Sequence, residues 1–272
     1  MKGFNALLIM NSKICFVSGH YPKGIFFTDL TKRLLVNYCN LNDYDLYYDD
    51  FTKVDHVISE FHFRRCLIIK KASEAFPNAD WYIWLDTDIY IKTPEKRIES
   101  FIDLNQSNIL YHLFHEKPWE YPINTGVKIV SKNALKIEDE IYSMRVGCPF
   151  PYEQKIMVDY VLPKYNNQII IHDPENLNSI YRIHDNTNAL FIHVCNTSEL
   201  DRNLIILNKT RHFFKQNPII RQSKYYKYYY GFIFLNKYQK LKRKTIIFKT
   251  LIMNGKFKHI LNIMSDKFKR LN

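Results

Sequence analysis

Five consecutive apolar residues, Trp81-Tyr82-Ile83-Trp84-Leu85, run straight into Asp86-Thr87-Asp88. The run is too short for a helix and lacks polar alternation, so it predicts a strand buried on both faces. Such strands lie inside α/β layers, with helices covering both sides. The neighbouring segments agree. Residues 13–18 read as a second short buried strand, broken by Gly19-His20-Tyr21-Pro22. Helical apolar spacing covers residues 26–39 at Phe26, Leu30, Leu34 and Tyr38, and residues 61–76 form a basic amphipathic helix stopped before Pro77.

Residues 44–48, 108–114, 127–130, 168–172 and 190–194 suit further strands, and 133–144, 152–162 and 199–216 suit helices. Thr93 and Pro94 look like the N-cap and first-turn proline of a helix reaching Ile102. Strands alternating with helices imply an α/β fold with a mixed, mostly parallel sheet flanked by helices. This domain is expected to occupy residues 1–217, with 218–272 forming a helical basic tail.

Charge marks that boundary. Residues 221–272 hold 14 Lys or Arg and a single acid, Asp266, whereas residues 1–220 hold 25 bases and 26 acids. The tail interleaves its bases with Tyr225, Tyr226, Tyr228, Tyr229, Tyr230, Phe232 and Phe234. That mixture suits an anionic membrane surface, with tyrosines at headgroup level and lysine stems lying along it. Single-stranded nucleic acid is a less favoured partner, and a packed helical subdomain with a solvated basic face is the bland alternative. No apolar run approaches the roughly 20 residues of a membrane-spanning helix. Residues 4–10 are too short for a signal peptide. Cys15, Cys39, Cys66, Cys148 and Cys195 are scattered without a C-x-x-C pair, which suggests reduced thiols in a cytoplasmic, peripherally membrane-associated protein.

Asp86 and Asp88 carry the chemistry. Carboxylates two residues apart, on a turn at the carboxyl end of a central strand, are able to approach one Mg²⁺ or Mn²⁺ ion. Such an ion neutralises a diphosphate leaving group. With 16 Asp in the chain about one D-x-D arises by chance, and Asp43-Tyr44-Asp45 is a second instance; the buried strand before Asp86 separates the two. A solvated strand-end turn is the plain alternative. An aspartyl-nucleophile phosphatase is disfavoured, because Tyr90 stands where those enzymes carry Thr or Val.

The segment W-Y-I-W-L-D-T-D, with Phe76-Pro77-Asn78-Ala79-Asp80 before it and a helix bearing Phe63-Arg64-Arg65, resembles the retaining galactosyl-, mannosyl- and xylosyltransferase family of GT-A fold. Asn124-Thr125-Gly126-Val127, Pro151-Tyr152-Glu153-Gln154 and Phe191-Ile192-His193 follow in that family's order, and Tyr38-Cys39-Asn40 before Tyr44-Asp45-Leu46 matches its early pattern. The similarity spans residues 13–198.

The resemblance implies transfer of a hexose or pentose from a nucleotide diphosphate sugar, UDP more than GDP, to a glycan or glycolipid hydroxyl with retention. Asp86, Asp88 and His193 would be the metal ligands; Gln154 and Glu153 would act at the anomeric carbon and donor hydroxyls; Ser18, Gly19, Arg65, Asn124, Thr125 and Gly126 would bind the donor. Without it, His193 reads as a core histidine, Ser18-Gly19 and Asn124-Thr125 as strand-end turns, and Glu153-Gln154 as a polar first helical turn. Two departures from the family pattern stand out: Tyr152 replaces an acid, and no Lys follows His193. Arg202 is a candidate to replace that lysine's phosphate contact. The competing reading is a non-catalytic membrane- or nucleic-acid-binding adaptor on the same fold.

Overall fold

A computed structural model describes residues 13–21, 25–53, 58–117, 121–184 and 187–216; the expected basic tail, 218–272, lies outside them. Contacts divide the chain into two units, Met1–Thr210 and Arg211–Asn272. In the first unit the elements are β1 (Ile14–Gly19), α1 (Phe26–Asn42), β2 (Asp45–Asp49), α2 (Ile58–Ala75), β3 (Trp81–Leu85) and β4 (Ile89–Ile91), then β5 (Tyr111–Phe114), β6 (Asn124–Ser131) and α3 (Leu135–Ser143). There follow α4 (Glu153–Ile156), a π-helical stretch Met157–Val161, α5 (Leu162–Tyr165), β7 (Ile169–His172), β8 (Ser179–Ile180), β9 (Phe191–His193) and α6 (Glu199–Gln216), which runs on past Thr210. Among the described residues no helix is long and apolar enough to cross a membrane.

The main sheet has strand order β2-β1-β3-β6-β5-β7. The β1–β2, β1–β3 and β5–β7 pairs are parallel, while β6 runs against both β3 and β5. The sheet is therefore mixed and mostly parallel, as expected. Its central strands are buried on both faces. Ile14, Phe16, Trp81, Ile83 and Leu85 join one apolar cluster with Leu35 and Tyr38 of α1. Cys15, Val17, Tyr82 and Trp84 point the other way, against Phe63, Cys66 and Ile69 of α2. The period of two thus feeds two cores, which is why no polar residue interrupts β3.

One expected helix does not form. Between Thr93 and Ile102 only a short 3₁₀ turn appears, at Ile98–Ser100. An α-helix there would close with the Ile98 amide donating to the Pro94 carbonyl. Both groups are taken from outside: the Ile98 amide donates to the Tyr44 hydroxyl at 3.2 Å, and Asn42 Nδ2 donates to the Pro94 carbonyl at 3.0 Å. Tertiary partners at the end of α1 have displaced the local bond. The helix expected over 152–162 forms too, but with a π-helical stretch in its middle.

A second, three-stranded sheet, β4-β9-β8, stands beside the first. Its β4–β9 pair is antiparallel and sets Ile89 opposite His193. The β3–β6 register sets Leu85 opposite Val127. These two registers build the site around the Asp86 turn.

Candidate active site

The chain leaves β3 at Asp86, whose amide donates to the Gly126 carbonyl at 2.8 Å, and enters β4 after Asp88. The Val194 amide donates to the Asp88 carbonyl at 3.0 Å and brings His193 alongside. His193 Nε2 lies 3.1 Å from Asp88 Oδ1, and ligand atoms of Asp86, Asp88 and His193 all fall within 4.8 Å of one another. Trp84 Nε1 steadies Asp86 Oδ1 at 2.7 Å.

The protonation pattern of this trio follows from one unambiguous donor. The Gly126 amide bonds Asn124 Oδ1 at 2.9 Å. That oxygen also accepts from Asn178 Nδ2 at 2.9 Å, so Asn178 Oδ1 is the atom facing His193 Nδ1 at 3.1 Å. Nδ1 must then carry the hydrogen, leaving the Nε2 lone pair facing a carboxylate oxygen. Two acceptors in contact require a proton or a cation between them. A buried imidazole whose other nitrogen is fixed by a carbonyl, beside two carboxylates, is a donor set that fits a divalent cation; the carboxylates suit Mn²⁺ or Mg²⁺, and the imidazole nitrogen favours Mn²⁺ over the harder Mg²⁺. Without the ion a proton takes its place. Burial pushes the His193 imidazole down, but Asp88 outweighs it and raises it above its ordinary value. Burial likewise pushes the Asp88 carboxyl up, and His193 and Arg202 more than reverse this, holding it at about 2.

A cavity of about 250 Å³ opens in front of Asp86 and Asp88, with Gly19, Arg64, Arg65 and Arg202 in its wall. Arg202 Nε lies 3.4 Å from Asp88 Oδ2 and 3.1 Å from the Val194 carbonyl. Arg64 is held by Asp49 through a buried pair at 2.7 Å. The cavity thus sets carboxylates against guanidinium groups, a surface suited to a cation together with a polyanion.

The expected donor-binding residues converge on the same place. Arg65 is buried and donates through Nη1 to the Thr125 carbonyl at 2.5 Å and Thr125 Oγ1 at 2.6 Å; Nη2 lies 3.5 Å from Asp86 Oδ1. Glu153 is buried, accepting from Lys128 Nζ at 2.7 Å, with Arg65 3.7 Å from its other oxygen. Burial raises the Glu153 carboxyl, but Lys128 and Arg65 hold it below its ordinary value, so it is an anion. Gln154 Nε2 donates to the Ile123 carbonyl at 3.0 Å, and its Oε1 accepts from Thr125 Oγ1 at 3.4 Å. Tyr152, just before this pair, has φ 59 and stacks on His62 at 4.6 Å; a side chain at positive φ is strain the surrounding contacts must hold.

Three of the expected residues are engaged by the protein itself. Ser18 Oγ donates to the Leu85 carbonyl at 2.7 Å and ties β1 to β3. Gly19 lines the cavity, yet a Cβ there would lie 2.1 Å from the Asp49 carbonyl oxygen, so strand packing alone requires glycine. Gly126, expected to bind the donor, instead makes room for the His193 imidazole: an added Cβ would meet Cε1 at 2.3 Å. Asn178, Glu116 and Lys128 went unnoticed in the sequence. Their partners lie on other elements, and no spacing signals them; Lys128 pairs with Glu138 at 2.8 Å and is wholly buried.

Comparisons place these features among known proteins. The galactosyl transferase GMA12/MNN10 family profile matches residues 17–144. Among solved structures the chain is similar to a glycosyltransferase involved in the glycosylation of the major capsid of PBCV-1, with 44% identity, 71% of this chain and 98% of that one covered, and a TM-score of 0.69. It is also similar, at 12% identity, to the apo-form glycosyltransferase GlyE of Streptococcus pneumoniae TIGR4, covering 76% and 64% with a TM-score of 0.47. The galactosyltransferase LgtC, solved with donor and acceptor sugar analogues, aligns at 10% identity over 72% and 95% with a TM-score of 0.44. No curated protein matches the chain.

Proposed function

Since the chain belongs to the galactosyl transferase GMA12/MNN10 family of glycosyltransferases, we propose that it moves a hexose or pentose from a nucleotide diphosphate sugar to a glycan or glycolipid hydroxyl, with retention and with a divalent cation. Membership makes it a sugar-transferring enzyme rather than an adaptor. UDP-linked donors are proposed over GDP-linked ones. The capsid-glycosylating relative makes a protein-borne glycan the favoured acceptor.

The observation that carries the metal-dependent reading is the trio Asp86, Asp88 and His193, whose ligand atoms fall within 4.8 Å of one another, with Nε2 3.1 Å from Asp88 Oδ1. These residues would hold Mn²⁺ or Mg²⁺, which supplies Lewis-acid neutralisation of the leaving diphosphate. Arg65 and Arg202 add fixed positive charge at the cavity wall. Gln154, its amide nitrogen anchored, presents its carbonyl oxygen as a dipole suited to oxocarbenium charge. Glu153, held anionic by Lys128 and Arg65, orients donor hydroxyls rather than attacking carbon. Ser18, Asn124, Thr125 and the two glycines then form the frame that keeps these groups in place.

Incubating the pure protein and Mn²⁺ with a panel of UDP- and GDP-sugars should release nucleoside diphosphate. Asp86→Ala or Asp88→Ala should abolish it; equal turnover in both variants would remove the metal site, and the anomer of the product reports retention. Residues 218–272 enter the proposal as a segment that docks a cytoplasmic enzyme on anionic membrane, on charge alone. Truncation after Pro218 should release the protein from anionic vesicles. Undiminished binding would end that part.

A further inference from the structure

Glu116 follows β5, half-buried, and has no counterpart among the residues expected to act at the site. Its carboxylate accepts twice: Oε1 from Asn124 Nδ2 at 3.2 Å, and Oε2 from Gln154 Nε2, also at 3.2 Å. One anion therefore receives the NH₂ groups of two amides, of which Asn124 reaches His193 through Asn178 and Gln154 reaches Arg65 through Thr125. We infer that Glu116 is a positioning residue for sugar transfer, a clamp that fixes which end of the Gln154 side chain faces the donor sugar and which end of Asn124 holds Gly126 and Asn178. The inference rests on the sugar-transfer reading, because these amides matter to turnover only where a donor sugar binds.

An amide side chain has two ends of similar shape and opposite polarity. For Gln154, the anchored orientation gives one hydrogen of Nε2 to the Ile123 carbonyl and the other to Glu116. The flipped orientation would set Oε1 against a carbonyl oxygen and a carboxylate, losing two hydrogen bonds and gaining two repulsions. Glu116 thus keeps the Gln154 carbonyl turned away from itself, where Thr125 Oγ1 donates to it at 3.4 Å. For Asn124 the same carboxylate draws Nδ2, and Oδ1 stays with the Gly126 amide and Asn178 Nδ2. Asn178 in turn holds the tautomer of His193. A single half-buried carboxylate therefore bears on both the dipole at the reacting carbon and the orientation of the metal-site histidine. A neutral group at position 116 cannot do this. A glutamine there has one acceptor end and must turn its own NH₂ toward one of the two amides.

Glu116→Ala and Glu116→Gln test the clamp with little risk to folding, since the side chain lies partly in solvent. In the full-length protein with Mn²⁺, kcat for nucleotide-sugar turnover should fall about 10- to 100-fold in both, as for other residues that orient a site through their neighbours. The affinity for nucleoside diphosphate alone should stay within twofold. In ¹⁵N-glutamine-labelled protein, the side-chain NH₂ signals of Gln154, identified by their loss in Gln154→Glu, should shift in both variants. Signals that stay put overturn the clamp whatever kcat does, and so does kcat within twofold of wild type. A wild-type protein that binds nucleoside diphosphate but turns over no nucleotide sugar would instead sink the sugar-transfer reading, and the Gln154 signals would still decide the clamp.

Discussion

Replacing Lys128 by Met isolates one charge in the middle of the protein. Lys128 is wholly buried on β6, its Nζ 2.8 Å from Glu138 and 2.7 Å from Glu153. Burial pushes this ammonium down, but the surrounding acidic groups hold it far above its ordinary value. Methionine fills nearly the same volume, so packing loss contributes little. What remains is two carboxylates without their shared cation; among the described residues Arg65, 3.7 Å from Glu153, still offsets one, and the Tyr111 hydroxyl donates to the other, Glu138, at 3.0 Å. Breaking a buried pair in this way costs about 3–5 kcal/mol. For a domain of this size that lowers Tm by roughly 6–20 °C. Urea unfolding of the full chain at pH 7 measures the difference directly. Glu138→Gln in the same background removes one of the stranded charges and should recover part of the loss. The deficit should also shrink on acidification. In the wild type Lys128 and Arg65 hold the Glu153 carboxyl below its ordinary value, so its contribution is present above that value and fades as pH falls through the folded pKa. In Lys128→Met that advantage is gone and burial dominates, so protonation relieves the mutant. A variant within about 1 kcal/mol of wild type, or a deficit that grows toward pH 4.5, would refute the reasoning.

Two further perturbations probe other parts of the fold. His112 is buried with Nδ1 2.9 Å from His172 Nε2, and burial, with His172 alongside, pushes its imidazole down to about 3. The unfolded chain therefore takes up a proton near pH 6.5 that the folded one refuses, so stability is full above that pH and falls by up to about 1.4 kcal/mol per pH unit below it. His112→Asn should flatten this slope in denaturant titrations between pH 6.5 and 4.5; an unchanged slope would acquit His112. At Gly126 an added Cβ would sit 2.3 Å from His193 Cε1 and 2.7 Å from Nδ1. Gly126→Ala should therefore push the imidazole off Asp88 and Asn178, weakening Mn²⁺ binding by calorimetry far more than it lowers Tm, whereas wild-type Mn²⁺ affinity would mean the ring was never confined.

Much of this protein is legible in short stretches of its chain. The apolar run 81–85 becomes β3 residue for residue, and α6 spans the expected 199–216, because side-chain period and end signals are local properties. Asp86 and Asp88 are legible for the same reason: they end a strand whose burial the run itself dictates. Strands β4 and β8 escape notice because three and two residues carry no period. The helix expected over 93–102 is lost to Tyr44 and Asn42, groups from another part of the chain that bond the amide and carbonyl it needed.

The site was assembled by register, which composition and spacing do not encode. Antiparallel pairing of β4 with β9 carries His193 to Asp88, and pairing of β3 with β6 carries Asn124 to Gly126 beside Asp86. Only then does it become visible that Gly126 makes room for an imidazole, that Asn178 fixes its tautomer and that Glu116 receives two amides. Local sequence dictated which segments are strands, which are helices and where two carboxylates leave the central one. Which side chains meet there was decided by tertiary pairing, since a hydrogen bond needs its partners within about 3 Å and the chain alone does not bring distant residues that close.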